Sequence, residues 1–103
     1  RELGPAAFGL VLDTGHSNVH KTTQAYLEGC RGLLCDLHLN DNAGTHDQHQ
    51  VPGKGSFSWK GLRSILERND YTGPLMLELL PQPEAHDVAA VCAEARTSLA
   101  LMA

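Results

Sequence analysis

Residues 38–49 of this chain read His38-Leu39-Asn40-Asp41-Asn42-Ala43-Gly44-Thr45-His46-Asp47-Gln48-His49. They follow directly on an apolar run, 33–37, whose short length and flanking glycine are typical of a buried β-strand. Two further runs also end at a polar side chain: residues 8–12 lead into Asp13, and residues 74–77 lead into Glu78. Because the carboxyl ends of parallel strands meet at one edge of a sheet, we expect Asp13, His38 and Glu78 to lie close together.

The segments between these runs carry helical signals, so the predicted order is β-α-β-α-β-α. We expect strands at about 8–13, 33–40 and 74–79, and helices at about 21–30, 59–68 and 85–101. Ser58 is a candidate N-cap for the second helix, and a long loop rich in Gly, Asn and Asp precedes it. The last helix is predicted to bury one apolar stripe, formed by Val88, Val91, Cys92, Ala95 and Leu99.

The alternation of side chains along the strands narrows the fold class. Asp13, His38 and Glu78 each lie on the smaller and more mixed face of their strand, while leucines occupy the opposite face. This asymmetry is expected of a (β/α)8 barrel, in which apolar side chains pack on the outer helices and functional groups point to the top of the lumen. A doubly wound open sheet needs two apolar faces, and Asp36 argues against it.

A closed barrel takes about 250 residues and eight βα units, whereas this chain has 103 residues. We therefore interpret residues 1–103 as a partial domain of a longer chain: the C-terminal three βα units of an α/β TIM barrel, with parallel strands and outer helices. Because both outer strands would keep unpaired backbone groups, we expect this piece alone to be inactive and weakly stable.

Composition excludes several classes of protein. The net charge is −4, with no stripe of Lys and Arg, which makes a nucleic-acid partner improbable on electrostatic grounds. No apolar run approaches the length of a membrane span, and there is no signal-peptide pattern. The three cysteines form no CxxC pair, which favours reduced thiols and a cytoplasmic location. Cys35 and Cys92 are predicted to pack in the core.

Five motifs, in this order, resemble those of the xylose-isomerase-like TIM barrels: Leu12-Asp13-Thr14-Gly15-His16, His38-Leu39-Asn40-Asp41-Asn42, Asp47-Gln48-His49, Pro52-Gly53-Lys54-Gly55 and Leu77-Glu78-Leu79. That superfamily includes sugar-phosphate isomerases and epimerases and, as relatives, the endonuclease IV repair enzymes. The resemblance implies that Asp13, His38 and Glu78 bind a divalent metal, and their mixed oxygen and nitrogen donors suit Mn, Mg, Co or Zn. It also implies that Glu78 is a catalytic acid/base.

Other residues in these motifs leave two interpretations open. His16, Asp47 and His49 match the extra ligands of multi-zinc endonucleases, and His16 is equally suited to contacting a substrate oxygen. Lys54, between two glycines, either contacts a substrate phosphate or carboxylate or belongs to a plain turn. Trp59 is predicted to pack its helix against the sheet.

Three function classes follow from the resemblance. The first is a metal-dependent isomerase or epimerase that acts on a small sugar, sugar phosphate or polyol through an enediolate-type intermediate. The second is an abasic-site endonuclease, and the third is an inactive fragment; the first is favoured for the parent protein. Residues 42–45 lack the arginine that ketose 3-epimerases commonly carry there, so isomerase, epimerase and dehydratase remain open. The number of metals and assembly into a homo-oligomer also stay open.

Overall fold

The computed structural model describes residues 7–80 and 87–102, the side chain of Met102 excepted. Within these residues, three parallel strands form one sheet in the order β1-β2-β3: β1 (Leu10–Asp13), β2 (Leu34–Leu39) and β3 (Met76–Leu77). The helices are α1 (Thr14–His20), α2 (Thr23–Gly29), α3 (Trp59–Arg68) and α4 (Val88–Ser98), and a 3-10 turn at Leu99–Met102 follows α4. The predicted α/β class with parallel strands is confirmed.

The pairing of the strands brings their carboxyl ends to one edge. Asp13 at the end of β1 lies opposite His38 in β2. His38 in turn pairs with Met76 of β3, and the backbone N–H of Glu78 donates to the carbonyl of Leu39 at 3.0 Å. The last residues of all three strands therefore lie side by side.

Apolar side chains on one face of the sheet form the core. Leu37 and Leu39 are fully buried, at 0% exposure, whereas Asp36 and His38, which alternate with them along β2, are only partly buried. The core that includes these leucines consists of Leu12, Leu27, Leu37, Leu39, Phe57, Trp59, Leu62 and Leu66. The predicted separation of a leucine face from a polar face is thus observed in β2.

The helix predicted at about 21–30 is confirmed as α2 (Thr23–Gly29), but a short helix that was not predicted, α1, precedes it. The carboxylate of Asp13 accepts a hydrogen bond from the backbone N–H of His16 at 2.9 Å, so α1 begins directly after β1. A side-chain oxygen in this position satisfies one of the free N–H groups of a first helical turn. Lys21 adopts a left-handed conformation, with φ 55°, and ends α1. The sequence analysis missed α1 because Asp13 was treated only as a strand end.

The predictions for α3 and α4 had different outcomes. Ser58 accepts a hydrogen bond from the N–H of Gly61 at 3.3 Å, as expected of the N-cap of α3. In α4 the predicted stripe is wrong, because Val88 is 65% exposed and only Ala95 of that stripe is buried. The 3-10 turn after α4 packs against α3, and most residues of α4 itself are exposed. The predicted start of this helix, 85–86, lies outside the described residues.

The predicted burial of Cys35 and Cys92 is also wrong, since both are exposed. Cys35 lies where the pairing of β1 with β2 shifts register, and its thiol donates to the carbonyl of Leu10 at 3.4 Å. Cys92 lies on the exposed part of α4. β3 is shorter than predicted, with two residues in place of about six. Among the described helices, none is long and apolar enough to cross a membrane.

Candidate metal centre

Asp13, His38 and Glu78 lie together at the carboxyl end of the sheet. One potential ligand atom from each lies within 4.8 Å of those of the other two. His38 Nδ1 is 3.2 Å from a carboxylate oxygen of Glu78, whose side chain is 46% exposed. The convergence expected from the strand ends is therefore observed, and the group is open on one side.

A second group adjoins the first and shares Asp13 with it. Asp13, His16 and His49 also offer ligand atoms within 4.8 Å of one another. Asp47 lies between the two imidazoles: its Oδ2 is 2.9 Å from His16 Nε2 and 3.0 Å from His49 Nε2. All six residues of the predicted metal set thus lie in one continuous cluster.

The two groups are suited to a divalent cation by their chemistry and approximately by their dimensions. Carboxylate oxygens and imidazole nitrogens are common ligands of Zn, Mn and Co. Ligands about 2.0–2.2 Å from one ion lie at most about 4.4 Å apart, so atoms within 4.8 Å of one another need only small side-chain movements. The donor set therefore fits a metal.

His49 is held in an uncommon backbone conformation. Its φ is 49°, in the left-handed region that costs a non-glycine residue about 1–2 kcal/mol. The Nδ1 atom of its ring lies 3.1 Å from the backbone carbonyl oxygen of Glu78, while its Nε2 contacts Asp47. Burial lowers the pKa of His49, but the hydrogen bonds to these two acceptors, together with the negative charges of Asp47 and Asp13, outweigh burial, so its pKa lies above the usual 6.5. The ring is thus fixed between β3 and the loop.

Three consecutive polar residues beside the cluster belong to a motif quoted above but were given no role in the site from the sequence. Asn40, Asp41 and Asn42 are each 0% exposed. The amide Nδ2 of Asn40 lies 3.3 and 3.4 Å from the two carboxylate oxygens of Asp13. The hydroxyl of Thr14 donates to the Asn40 carbonyl at 2.7 Å and accepts from its N–H at 2.9 Å. Asn40 therefore orients the carboxylate that both groups share.

Asn42 links α1 to the loop that carries Asp47 and His49. Its Nδ2 donates to the carbonyl of Gly15 at 2.9 Å, and its Oδ1 accepts from Asn18 at 2.7 Å. Polar residues after a strand are usually exposed, so composition gave no signal of this burial. The uninterrupted run of three amide and acid side chains directly after a strand end was the one available clue.

Lys54 and Trp59 make contacts that the sequence did not specify. Lys54 Nζ lies 3.1 Å from a carboxylate oxygen of Glu94 in α4, and both side chains are about half exposed. Its predicted contact with substrate stays a prediction. Trp59 packs against Phe57 with ring centroids 4.7 Å apart, and its indole N–H donates to Asp41 at 2.9 Å. The predicted packing role of Trp59 is therefore accompanied by a buried hydrogen bond.

We expect Gly15→Ala to destabilise the protein and disturb the cluster. A methyl group at position 15 would overlap the side-chain oxygen of Asn40 and come within 3.1 Å of Asp47 Oδ1. Because Asn40 is fully buried, forced displacement should cost about 1–3 kcal/mol. Chemical denaturation measures this loss. Gly29→Ala in α2 is the control, since nothing lies within 4 Å of its added methyl group. Equal free energies of unfolding for the two variants would contradict the prediction.

A parallel sheet that gathers carboxylates and imidazoles at its carboxyl edge is the arrangement of active sites in barrel enzymes. The family model described as "Xylose isomerase-like TIM barrel" matches residues 1–95, and the chain belongs to this family. The predicted barrel fold is thereby confirmed, with the described residues forming part of a barrel.

The individual relatives are longer proteins. The chain is 31% identical over 78 residues to D-psicose 3-epimerase of Enterocloster bolteae. The aligned region covers 75% of this chain and 24% of that protein. The structure also resembles a crystal structure of D-psicose 3-epimerase in the presence of D-fructose, with a TM-score of 0.72 and 23% identity over 89% of this chain and 36% of that one.

Two other solved structures show the same fold. A D-tagatose 3-epimerase-like protein matches with a TM-score of 0.69 and 18% identity, covering 91% of this chain and 34% of that one. The 3-keto-D-glucoside 4-epimerase of E. coli matches with a TM-score of 0.67 and 25% identity, covering 91% of this chain and 32% of that one. The chain thus spans about a quarter of the curated relative and about a third of these structures.

Proposed function

We propose that residues 1–103 are the C-terminal three βα units of a metal-dependent sugar epimerase or isomerase. The observation that carries this proposal is the convergence of Asp13, His38 and Glu78 within 4.8 Å at the carboxyl edge of the sheet. Membership of the xylose isomerase-like family and the names of the relatives, which are sugar epimerases, support it. The substrate in this proposal is a small sugar, sugar phosphate or polyol.

Asp13, His38 and Glu78 would hold one divalent cation. A Mn, Mg, Co or Zn ion there would stabilise negative charge on a carbonyl oxygen of the substrate. His16 and His49, with Asp47 between them, provide either a second position or contacts to substrate hydroxyls. His16 is well placed for such contacts because its side chain is mostly exposed.

Glu78 has a second role in this proposal, as the acid/base. Its half-exposed carboxylate can reach a substrate above the sheet, while its backbone is fixed by hydrogen bonds to Leu39 and His49. Glu78 removes the proton from the carbon next to the carbonyl, which gives an enediolate. Return of a proton to the other face of that carbon would invert it, and this needs a second acid from an earlier strand of the barrel.

A second candidate function rests on the His16–Asp47–His49 contacts. An abasic-site endonuclease needs several metals to activate water against a phosphodiester, and these three residues could supply ligands for them. The net charge of −4 weighs against DNA as substrate, because binding to phosphates relies on Lys and Arg. A cytoplasmic location and a homo-oligomeric parent stay predictions.

A paired assay on the intact protein that carries this chain separates the two functions. We expect Mn²⁺- or Co²⁺-loaded protein to exchange a carbon-bound proton of at least one ketose, ketose phosphate or polyol ketone with deuterated solvent, as measured by NMR. Under the same conditions it should not nick abasic duplex DNA. Robust nicking with no proton exchange on the whole sugar panel would overturn the proposal.

A further inference from the structure

Asp41 is a buried carboxylate that belongs to neither group of candidate ligands. It is 0% exposed, and both of its oxygens accept hydrogen bonds. Oδ1 accepts from the backbone N–H of Asn42 at 2.9 Å and of Phe57 at 3.1 Å. Oδ2 accepts from the N–H of Gly53 and the indole of Trp59, both at 2.9 Å. These four uncharged donors offset the cost of burying the carboxylate.

The four donors come from both ends of the loop between β2 and α3. Asn42 lies near the start of this loop, Gly53 and Phe57 lie in its second half, and Trp59 is the first residue of α3. The backbone of Asp41 also pairs with Gln50, with N–H···O distances of 2.8 Å in one direction and 2.9 Å in the other. A single side chain and its backbone therefore close a loop whose free closure would cost conformational entropy.

The pairing with Gln50 connects Asp41 to the candidate metal centre. Gln50 directly follows His49, the residue with φ 49° whose ring contacts Asp47 and the carbonyl of Glu78. The backbone carbonyl of His49 also accepts from the N–H of Leu80 at 3.2 Å. His49 is thus held from one side by the segment that follows β3 and from the other by Asp41, through Gln50.

We propose that Asp41 is a positioning residue, which holds His49, and with it Asp47, in place at the candidate metal centre. Its importance for catalysis rests on the proposed function, but the positioning can be measured without any activity. A carboxylate is required because each oxygen faces two N–H donors. In Asp41→Asn, the side-chain NH2 group would replace one oxygen and face two of these N–H donors in either orientation of the amide. Two hydrogen bonds are then lost, and N–H groups point at one another.

The test uses the intact protein, labelled with 15N, and follows the imidazole signals of His38 and His49 by NMR. In the metal-free state, Asp41→Asn should shift or broaden the His49 signals and leave those of His38 nearly unchanged. In a Co²⁺ titration, the concentration that perturbs the His49 signals should rise about 10- to 100-fold, the usual effect of losing a residue that orients a metal ligand. The His38 signals should respond at nearly the wild-type concentration.

Two variants control for a loss of stability alone. Leu66→Ala removes a buried side chain of α3 outside the loop, so it should lower the melting temperature without moving the His49 signals. Trp59→Phe removes one of the four donors to Asp41 and should give a smaller change of the same kind as Asp41→Asn. If Asp41→Asn does not fold, the His49 signals of Trp59→Phe decide the question.

The inference is wrong if folded Asp41→Asn, or Trp59→Phe in its place, keeps the wild-type His49 signals and Co²⁺ response. Failure of the proposed function looks different. A wild-type protein that exchanges no sugar protons, but whose His49 signals depend on Asp41, would contradict the epimerase proposal and leave the positioning role intact.

Discussion

Glu78→Gln in the intact protein should reduce solvent deuterium uptake into the sugar substrate by at least about 10³-fold, within the usual range for loss of a general acid/base. The change removes the proton acceptor and one charge of the Asp13–His38–Glu78 group in a single step. The fold should persist, because the backbone of Glu78 makes the hydrogen bonds that secure it, to Leu39 and His49. NMR of the recovered substrate measures the exchange, and circular dichroism measures the fold.

Glu28→Gln is the matched control for this variant. Glu28 is exposed on α2 and contacts Gln24 rather than the cluster, so Glu28→Gln should leave the exchange rate unchanged. Asp47 and His49 give a further comparison. Under the epimerase proposal their substitution should impair exchange less than Glu78→Gln does. If substitution of Glu78, of Asp47 and of His49 each abolishes nicking of abasic DNA, the endonuclease function is supported instead.

Asp13→Asn should lower the affinity for Mn²⁺ by more than about 100-fold, because Asp13 belongs to both groups of candidate ligands. Loss of a residue that only orients a metal ligand usually costs about 10- to 100-fold in affinity, so the expected loss is larger. Its effect on the stability of the metal-free protein should be less than about 1 kcal/mol, since asparagine is as good an N-cap as aspartate. The side-chain oxygen of the asparagine can still accept from the N–H of His16. Calorimetric titration measures the affinity, and denaturant unfolding measures the stability.

Asp87→Asn provides the same chemical change at another helix start. The carboxylate of Asp87 caps α4 and accepts from the N–H of Ala90 at 3.1 Å. This variant should bind Mn²⁺ as the wild type does and lose similarly little stability. Wild-type Mn²⁺ affinity in Asp13→Asn would show that the carboxylate at the end of β1 binds no metal, and the proposed centre would then need other ligands.

The sequence predicted the parts of the molecule that depend on simple periodicity. Alternation along β2 separates buried Leu37 and Leu39 from His38, and such alternation can be recognised from the sequence of one strand alone. The ends of parallel strands meet by geometry, so the proximity of Asp13 to His38 needed no knowledge of side-chain packing. Ser58 was recognisable as an N-cap because it directly precedes an amphipathic helix.

The remaining features depend on tertiary contacts that no local pattern encodes. Asn40 and Asp41 look like ordinary loop residues, and they are buried only because Asp13, Phe57 and Trp59 surround them with suitable groups. The exposure of α4 likewise depends on where that helix packs, which its apolar stripe cannot specify. The beginning of α1 is a different case. Aspartate is a common N-cap residue, so Asp13 could have been recognised as the start of a helix from the sequence. It was assigned only as the end of a strand, and its second role as the N-cap of α1 was missed.

That second role of Asp13 couples helix α1 to whatever occupies the edge of the sheet. One carboxylate both caps the first turn of α1 and belongs to the two groups of candidate ligands. A ligand that binds only the folded form stabilises it in proportion to the logarithm of its concentration. Occupancy of the centre would therefore slow the exchange of the amide hydrogens of α1 with solvent, and fraying of this helix would in turn weaken binding. The unfolding equilibrium of α1 and the binding equilibrium of the ligand are therefore thermodynamically coupled.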